Sequence, residues 1–156
     1  MSENRRIPDE EWTTIVANVP IVSVDLVVRH EGGVVLGKRT NEPLDGKWFV
    51  PGGRVRKNER LEDAVHRLAR EELGIEVRIE RRLGVYEHLH GATELDAVAD
   101  KHYVPIAYEV TAESDTLRPD DQHATLSVFA PPFEEIDLHP YLRAYLTDAD
   151  LLADPE

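Results

Sequence analysis

The sequence predicts an α/β protein in which a mixed β-sheet is sandwiched between α-helices (α/β/α). Three observations predict it. The chain has 156 residues, enough for one hydrophobic core with covering helices. Apolar residues make up 41% of it, the composition of a folded chain. Short β-branched runs alternate along it with stretches of helical period. No repeat, low-complexity tract or long Gly/Ser linker divides the chain, so residues 1–156 are expected to form a single domain.

Asp9 to Ala17 reads as a short helix opened by acidic residues, which favour the positive N-terminal end of a helix. Ile21 to Arg29 (IVSVDLVVR) is a β-branched strand. Glu31-Gly32-Gly33 ends it in a turn, and Val34 to Arg39 returns as the second arm of a hairpin. Asn41 to Gly46 is a loop broken by Pro43 and Gly46. Trp48 to Val50 is a short strand stopped by Pro51-Gly52-Gly53. Over Leu61 to Leu73 the period changes: Leu61, Ala64, Val65 and Leu68 recur at helical spacing, with Gly74 at the C-cap position. Strand patterns follow at Glu76 to Arg81, Gly84 to Leu89, His102 to Val110 and Leu126 to Phe129. Gly91 to Asp100 is a loop without a period, and its sequence suggests no particular contact. A final helix runs from about Leu138 to Leu146. Strands and helices alternating in so short a chain give the sandwich.

Charge narrows the function classes. Thirty-one acids face eighteen bases, a formal net charge of −13. The lysines are Lys38, Lys47, Lys57 and Lys101. Such a surface repels nucleic acid and anionic membranes, so neither is an expected partner. No apolar run approaches the ~20 residues that span a bilayer. The segment MSENRRIPDEEW is polar, unlike a secretory signal. Cysteine is absent, which excludes disulfides and thiolate metal sites and fits a reducing cytoplasm.

The chemistry concentrates between Gly52 and Ile75. Glycines at 52 and 53 allow a sharp turn that exposes carbonyls. Glu71 and Glu72 are adjacent on the last helical turn, at the negative end of the helix dipole, where a cation would offset them. A hard divalent ion takes carboxylate and carbonyl oxygens. Arg67 lies one turn before Glu71 and is within reach of Glu59, where it would pin the loop to the helix.

This stretch resembles the Nudix box, Gly-x5-Glu-x7-Arg-Glu-U-x-Glu-Glu-x-Gly-U with U bulky aliphatic. Gly53, Glu59, Arg67, Glu71, Glu72, Gly74 and Ile75 match in register. Ala69 stands at the first U, and Leu68 stands where the motif has Glu. The wider chain, about residues 12 to 146, resembles the GDP-mannose mannosyl hydrolases, a Nudix branch whose box also lacks that Glu. The shared landmarks are Pro20 to Asp25, Leu36 to Asn41, Trp48 to Val55, His102-Tyr103-Val104 and Pro119-Asp120-Asp121-Gln122-His123. The resemblance implies the Nudix fold, a Mg2+ cofactor (Mn2+ as a substitute), a homodimer, and a nucleotide sugar, GDP-mannose or GDP-glucose, as the small-molecule substrate.

In that branch water attacks the anomeric carbon with inversion, and the nucleoside diphosphate leaves intact. The resemblance makes His123 the general base, a role an imidazole fills near neutral pH. It makes the Gly52 carbonyl, Glu72 and Gln122 metal ligands. Glu71 is either solvated or a ligand of a second metal, and the second option keeps attack at phosphorus open. Arg39, Arg54 and Arg67 align with arginines around the substrate, whose planar forks suit phosphate oxygens. Arg54 is expected to stabilise the leaving group, and Arg67 either contacts substrate or acts only through Glu59. Asp25, mid-strand among apolar residues, either meets an arginine or binds sugar hydroxyls, since an unpaired buried carboxylate is costly. His88 and Tyr103 are each a substrate contact or a packing residue. Trp12 either contacts the nucleotide base, within its own chain or across a dimer interface, or packs its helix. His30, His66, His90 and His139 carry no such context and are expected at the surface or in the core. Two other readings stand beside sugar release: a pyrophosphohydrolase attacking phosphorus in a nucleotide sugar or NTP, and a non-catalytic nucleotide-sugar sensor.

Acid-rich, lysine-poor surfaces suit a salt-rich cytoplasm, where screening is strong. A halophilic origin predicts that the melting temperature rises from dilute buffer to molar KCl. Full stability in dilute buffer would remove that reading.

Overall fold

The computed structural model describes residues 7–40, 42–114 and 125–153. Its elements are α1 (Asp9–Asn18), β1 (Ile21–His30), β2 (Gly33–Lys38), β3 (Trp48–Phe49), β4 (Gly52–Arg54), α2 (Leu61–Leu73), β5 (Val77–Val85), β6 (His88–His90), β7 (Lys101–Ala112), β8 (Thr125–Phe129) and α3 (Pro140–Asp148). Among the described residues no helix is long and apolar enough to cross a membrane.

The strands form one mixed sheet with the order β3-β2-β1-β7-β5. Strands β4, β6 and β8 pair off this path with β1, β7 and β2. β1 and β7 run parallel from Ile21 opposite Tyr103 to Arg29 opposite Thr111. The β1–β2 hairpin is antiparallel, with Arg29 opposite Val34. Because side chains alternate across a strand, this register sorts residues onto two faces. Val24, Leu26 and Val28 of β1, Val35 of β2 and Ile106, Tyr108 and Val110 of β7 pack with Ala64, Val65, Leu68, Ala69 and Leu73 of α2. On the opposite face Val27, Val34, Leu36 and Ala107 pack with Phe49 and with Leu142, Tyr145 and Leu146 of α3. The expected sandwich is therefore observed, with α2 and α3 on opposite faces of the sheet.

Differences from the sequence reading have local causes. The Pro51-Gly52-Gly53 turn does not end the sheet there: Gly52–Arg54 pairs with β1 as β4, with Asp25 opposite Gly52. Both glycines are required by close approach. A Cβ on Gly52 would overlap the Asp25 carboxylate and the Val24 carbonyl, and one on Gly53 would press on Leu68 Cδ2. Two strands are found where two are expected between Glu76 and Leu89, but the break moves: the second is β6 (His88–His90), and Gly84 and Val85 belong to β5, which runs unbroken from Val77. β5 absorbs irregularities between Ile79 and Arg81 and between Arg82 and Gly84, where its register against β7 shifts. The last helix starts later than its apolar pattern suggests, because His139 caps it: Nδ1 accepts from the Tyr141 N–H at 3.1 Å, with Pro140 in the first turn. Gly74 ends α2 in the left-handed conformation (φ 69°), as its position implied.

α3 closes the second core and carries Tyr141 and Tyr145 to the cleft described below. Leu142→Ala, at a fully buried position in that core, is expected to lower unfolding free energy by about 2–5 kcal/mol, read by denaturant titration. A change below about 0.5 kcal/mol, the range of neutral surface substitutions, would contradict the packing assigned to α3.

Candidate active site

The face that carries α3 continues beyond the helix into a cleft lined by Ser23, Asp25, Arg39, His88, His90 and Tyr103, with Gly52, Gly53 and Phe49 among its other walls. The two-residue period builds it. Ser23 and Asp25 point the same way along β1. His88 and His90 of β6 stand opposite Tyr103 and Lys101 of β7, so those four side chains share one face. Asp25 lies opposite Ala107 across the parallel β1–β7 pair. Asp25 accepts a hydrogen bond from Tyr145 Oη at 2.6 Å. Burial pushes its carboxyl up to about 6, moderated by the Tyr145 bond and the Arg39 charge.

A cationic groove opens from this cleft. Arg39 and Tyr103 line both, and Trp12, Glu42, Arg54, Glu94 and Lys101 complete the groove. Lys101 is only 5% exposed. Its ammonium bonds both carboxylate oxygens of Glu94 at 3.0 and 2.9 Å and lies 5.4 Å from the Trp12 ring centroid and 5.0 Å from that of Tyr103. The Arg54 guanidinium lies 5.8 Å from the Trp12 ring, and Trp12 Nε1 donates to Glu94 Oε2 at 3.4 Å. Trp12 thus reaches the groove of its own chain. Burial, and then the charges of Arg56 and Arg67, loosen Arg54's hold on its proton; an incoming anion would relieve both neighbours' repulsion.

The box forms a clamp behind the groove. Arg67 donates from Nε and Nη2 to Glu59 at 2.7 and 2.9 Å, from Nη1 to Glu71 at 3.1 Å, and from Nη2 to the Arg54 carbonyl at 3.0 Å. The Glu59 carboxyl is held below the usual carboxylate range, chiefly by its Arg67 bond. Arg67 joins β4, the following loop and α2, and does not line the cleft or the groove. Glu71 is engaged by Arg56 at 3.3 Å as well as by Arg67.

The donors here, a buried carboxylate and backbone carbonyls, are of the kind a hard divalent ion takes. Glu72 sits on the last turn of α2 and is 8% exposed, against the negative end of the helix. Leu26 N–H donates to the Pro51 carbonyl and Val55 N–H to the Val22 carbonyl. The antiparallel alternation then turns the carbonyls of Gly52 and Arg54 away from β1. The Arg54 carbonyl accordingly accepts from Arg67. Leu68 is 3% exposed and belongs to the core under Gly53, so the helix offers no carboxylate there. Among the described residues no three His, Asp or Glu side chains cluster as a metal site. One buried carboxylate with a backbone carbonyl suits Mg2+, which keeps several of its waters.

Of the residues singled out from sequence, Trp12, Asp25, Arg39, Gly52, Arg54, His88 and Tyr103 line the cleft or the groove. Gln122 and His123 lie outside the described residues. Glu94, Lys101, Tyr145 and His90 also belong here, although the sequence singled out none of them for the site. The legible signal was His88-x-His90, a spacing that puts both imidazoles on one face of a strand. His88 stacks on Tyr141 (ring centroids 4.0 Å apart, 3° between planes). Burial pushes both His88 and His90 down to about 4, with neighbouring imidazoles adding to it at His88 and His139, Arg39 and Lys101 adding to it at His90.

The chain matches the NUDIX domain family over residues 19–154 and belongs to it: it is a Nudix-family hydrolase. It is 57% identical over 145 residues to the low-salt glycan biosynthesis protein Agl8 of Haloferax volcanii, covering 93% of this chain and 92% of that one. An ADP-ribose pyrophosphatase of Methanocaldococcus jannaschii is 39% identical over 67 residues, covering 43% of this chain and 40% of the relative. Among solved structures, a MutT NUDIX hydrolase from Burkholderia pseudomallei superposes with a TM-score of 0.71 at 32% identity, covering 84% of this chain and 98% of that one.

The two buried imidazoles generate a pH prediction. In the unfolded chain they titrate near 6.5, and in the folded chain near 4. Between those values the unfolded state binds protons that the folded state refuses, so stability falls as pH drops through the window. His88→Phe keeps a flat ring against Tyr141 and removes one titration. The melting temperature of this variant should fall less than wild type between pH 6.5 and 4; parallel curves would refute the assignment.

Proposed function

We propose that the protein hydrolyses a nucleotide sugar, GDP-mannose or GDP-glucose, in a Mg2+-dependent reaction at the anomeric carbon, releasing GDP and the free sugar with inversion. The observation that carries this reading is Leu68. The helix has a core leucine where the box has an acid, and Glu71 is held by two arginines. Few carboxylates are left to bind a cation and also orient its water for attack at phosphorus. The remaining donors suit neutralisation of a leaving group.

In this reading Asp25 accepts sugar hydroxyls on the cleft floor, Arg39 and Arg54 grip the diphosphate, and Arg67 acts only by holding β4 and the loop on α2. Tyr103 donates between sugar and diphosphate. The Gly52 carbonyl, Glu72 and Gln122 would hold the ion, which when bound neutralises diphosphate charge. His123 takes the proton of the attacking water as its oxygen bonds to the anomeric carbon. The bond from that carbon to the diphosphate oxygen breaks, and its electron pair leaves with GDP. A relative named for glycan biosynthesis supports a nucleotide-sugar substrate. The resemblance further supports a homodimer working in the cytoplasm.

The similarity to an ADP-ribose pyrophosphatase over less than half the chain favours the rival attack at phosphorus, and heavy-oxygen water separates the two. The label is expected in the sugar and absent from the nucleotide; label in the nucleotide would overturn carbon attack. His123→Ala is expected to slow turnover by roughly 10²–10⁴, the range for a general base. If Asp25→Asn shows that loss while His123→Ala stays within about threefold of wild type, the base is Asp25.

A further inference from the structure

Two tyrosines one turn apart on α3, Tyr141 and Tyr145, approach the cleft from the core beneath it. Residues four apart share one face of a helix, yet these two meet different walls. Tyr145 is fully buried. Its ring is packed edge-on by Tyr86, centroids 4.7 Å apart, and by His88 at 5.5 Å. Its hydroxyl donates to Asp25 Oδ2 at 2.6 Å, and among the described residues it is the one hydrogen-bond donor to that carboxylate. Asp25 Oδ1 lies against Gly52. Both oxygens are therefore placed, and each keeps a lone-pair site for a ligand.

Tyr141 holds the other wall. Among the described residues β6 pairs with β7 alone, and its outer edge meets the Tyr141 hydroxyl in place of a strand. That hydroxyl accepts from the Leu89 N–H at 2.9 Å and donates to the Leu89 carbonyl at 3.0 Å. The Leu89 residue is 66% exposed, so its side chain does little to hold β6. It stands between His88 and His90, and the Tyr141 ring stacks on His88. Fixing the backbone at Leu89 thus fixes the direction of both imidazoles, which leave the strand on one side.

Asp25 and the imidazoles stand on strands to either side of β7, where Tyr103 faces Ile21 of β1 on one edge and His88 of β6 on the other. The hydroxyls of a sugar ring have fixed relative positions, so groups that bind several at once must keep a set spacing. We propose that Tyr141 and Tyr145 are positioning residues that set this spacing, Tyr145 through the Asp25 carboxylate and Tyr141 through the His88-x-His90 strand. The inference rests on the reading of the cleft as the sugar site and deepens it. One rigid helical turn spans the three strands and ties both walls to the same core.

The test is steady-state hydrolysis of GDP-mannose and GDP-glucose by Tyr141→Phe and Tyr145→Phe, each of which keeps the ring and removes one hydroxyl. KM for the sugar turned over should rise about 10-fold in Tyr145→Phe and roughly 3- to 10-fold in Tyr141→Phe, with kcat within about threefold of wild type. GDP lacks the sugar, and its inhibition constant should stay within about threefold in both variants. Because Tyr145 acts through Asp25, adding Tyr145→Phe to Asp25→Ala should change KM by less than about twofold. Leu142→Ala loosens α3 but keeps both hydroxyls, and its KM should stay within about threefold of wild type. Unchanged KM in both tyrosine variants, an equal rise in Leu142→Ala, or an equal rise in the GDP constant overturns the positioning role while the nucleotide-sugar reading stands. Failure of the wild type to hydrolyse either nucleotide sugar overturns that reading and this inference together.

Discussion

The Arg67 guanidinium is the tie on which the site depends. Its four hydrogen bonds join Glu59, Glu71 and the backbone of Arg54, linking a short strand, a loop and a helix. Charge-assisted bonds of this kind are the strong ones, and a planar fork makes several of them in fixed geometry. Their consequence is positional. β4 is only three residues long, yet it aims the Gly52 carbonyl and the Arg54 side chain. It is held from one side by β1 and from the other by Arg67. The glycines complete the arrangement by letting Asp25 and Leu68 approach the strand from opposite faces.

On a chain of charge −13, any surface that takes an anion must reverse the field locally. Arg39 and Arg54 line one groove, where partial burial weakens the screening of their charges by solvent. Several basic side chains elsewhere are matched by acids. Arg29 and Arg81 both meet the buried Glu109, at 2.7 and 2.8 Å, and Arg78 meets Glu80. Lys101 is paired too, but with a carboxylate on a loop that also lines the groove, so the pair contributes a donor and an acceptor at the binding surface and little net charge.

Much of the fold was legible because its signals are local. α2 runs from Leu61 to Leu73 as its period and Gly74 required, and the Arg67–Glu59 tie follows from helical spacing. The Asp25–Tyr145 bond spans 120 residues, and no local pattern encodes it. Glu94 and Lys101 were invisible for a related reason: a charged residue in an aperiodic loop reads as solvated until the sheet brings its partner near. β4 was misread because Gly-Gly ordinarily ends a strand, whereas here the missing side chains are what allow pairing beside Asp25. Arg67 was read two ways, and its geometry favours the clamp, since each of its nitrogens donates within the chain.

The titration of the cleft bears on which group can take a proton there. His88 and His90 are held near 4, too weak as bases for a reaction run near neutrality, where the best catalytic group has a pKa close to the working pH. Asp25 is nearer, at about 6, and its carboxylate is oriented by the bond from Tyr145. This division leaves the two buried imidazoles a task other than proton abstraction. A neutral imidazole carries one donor and one acceptor. Two of them beside Arg39 and Asp25 can match the hydroxyls of a sugar without adding positive charge to a groove already crowded with cations. Burial keeps both rings neutral, with the Arg39 and Lys101 charges adding to it at His90, so each offers the cleft one donor and one acceptor.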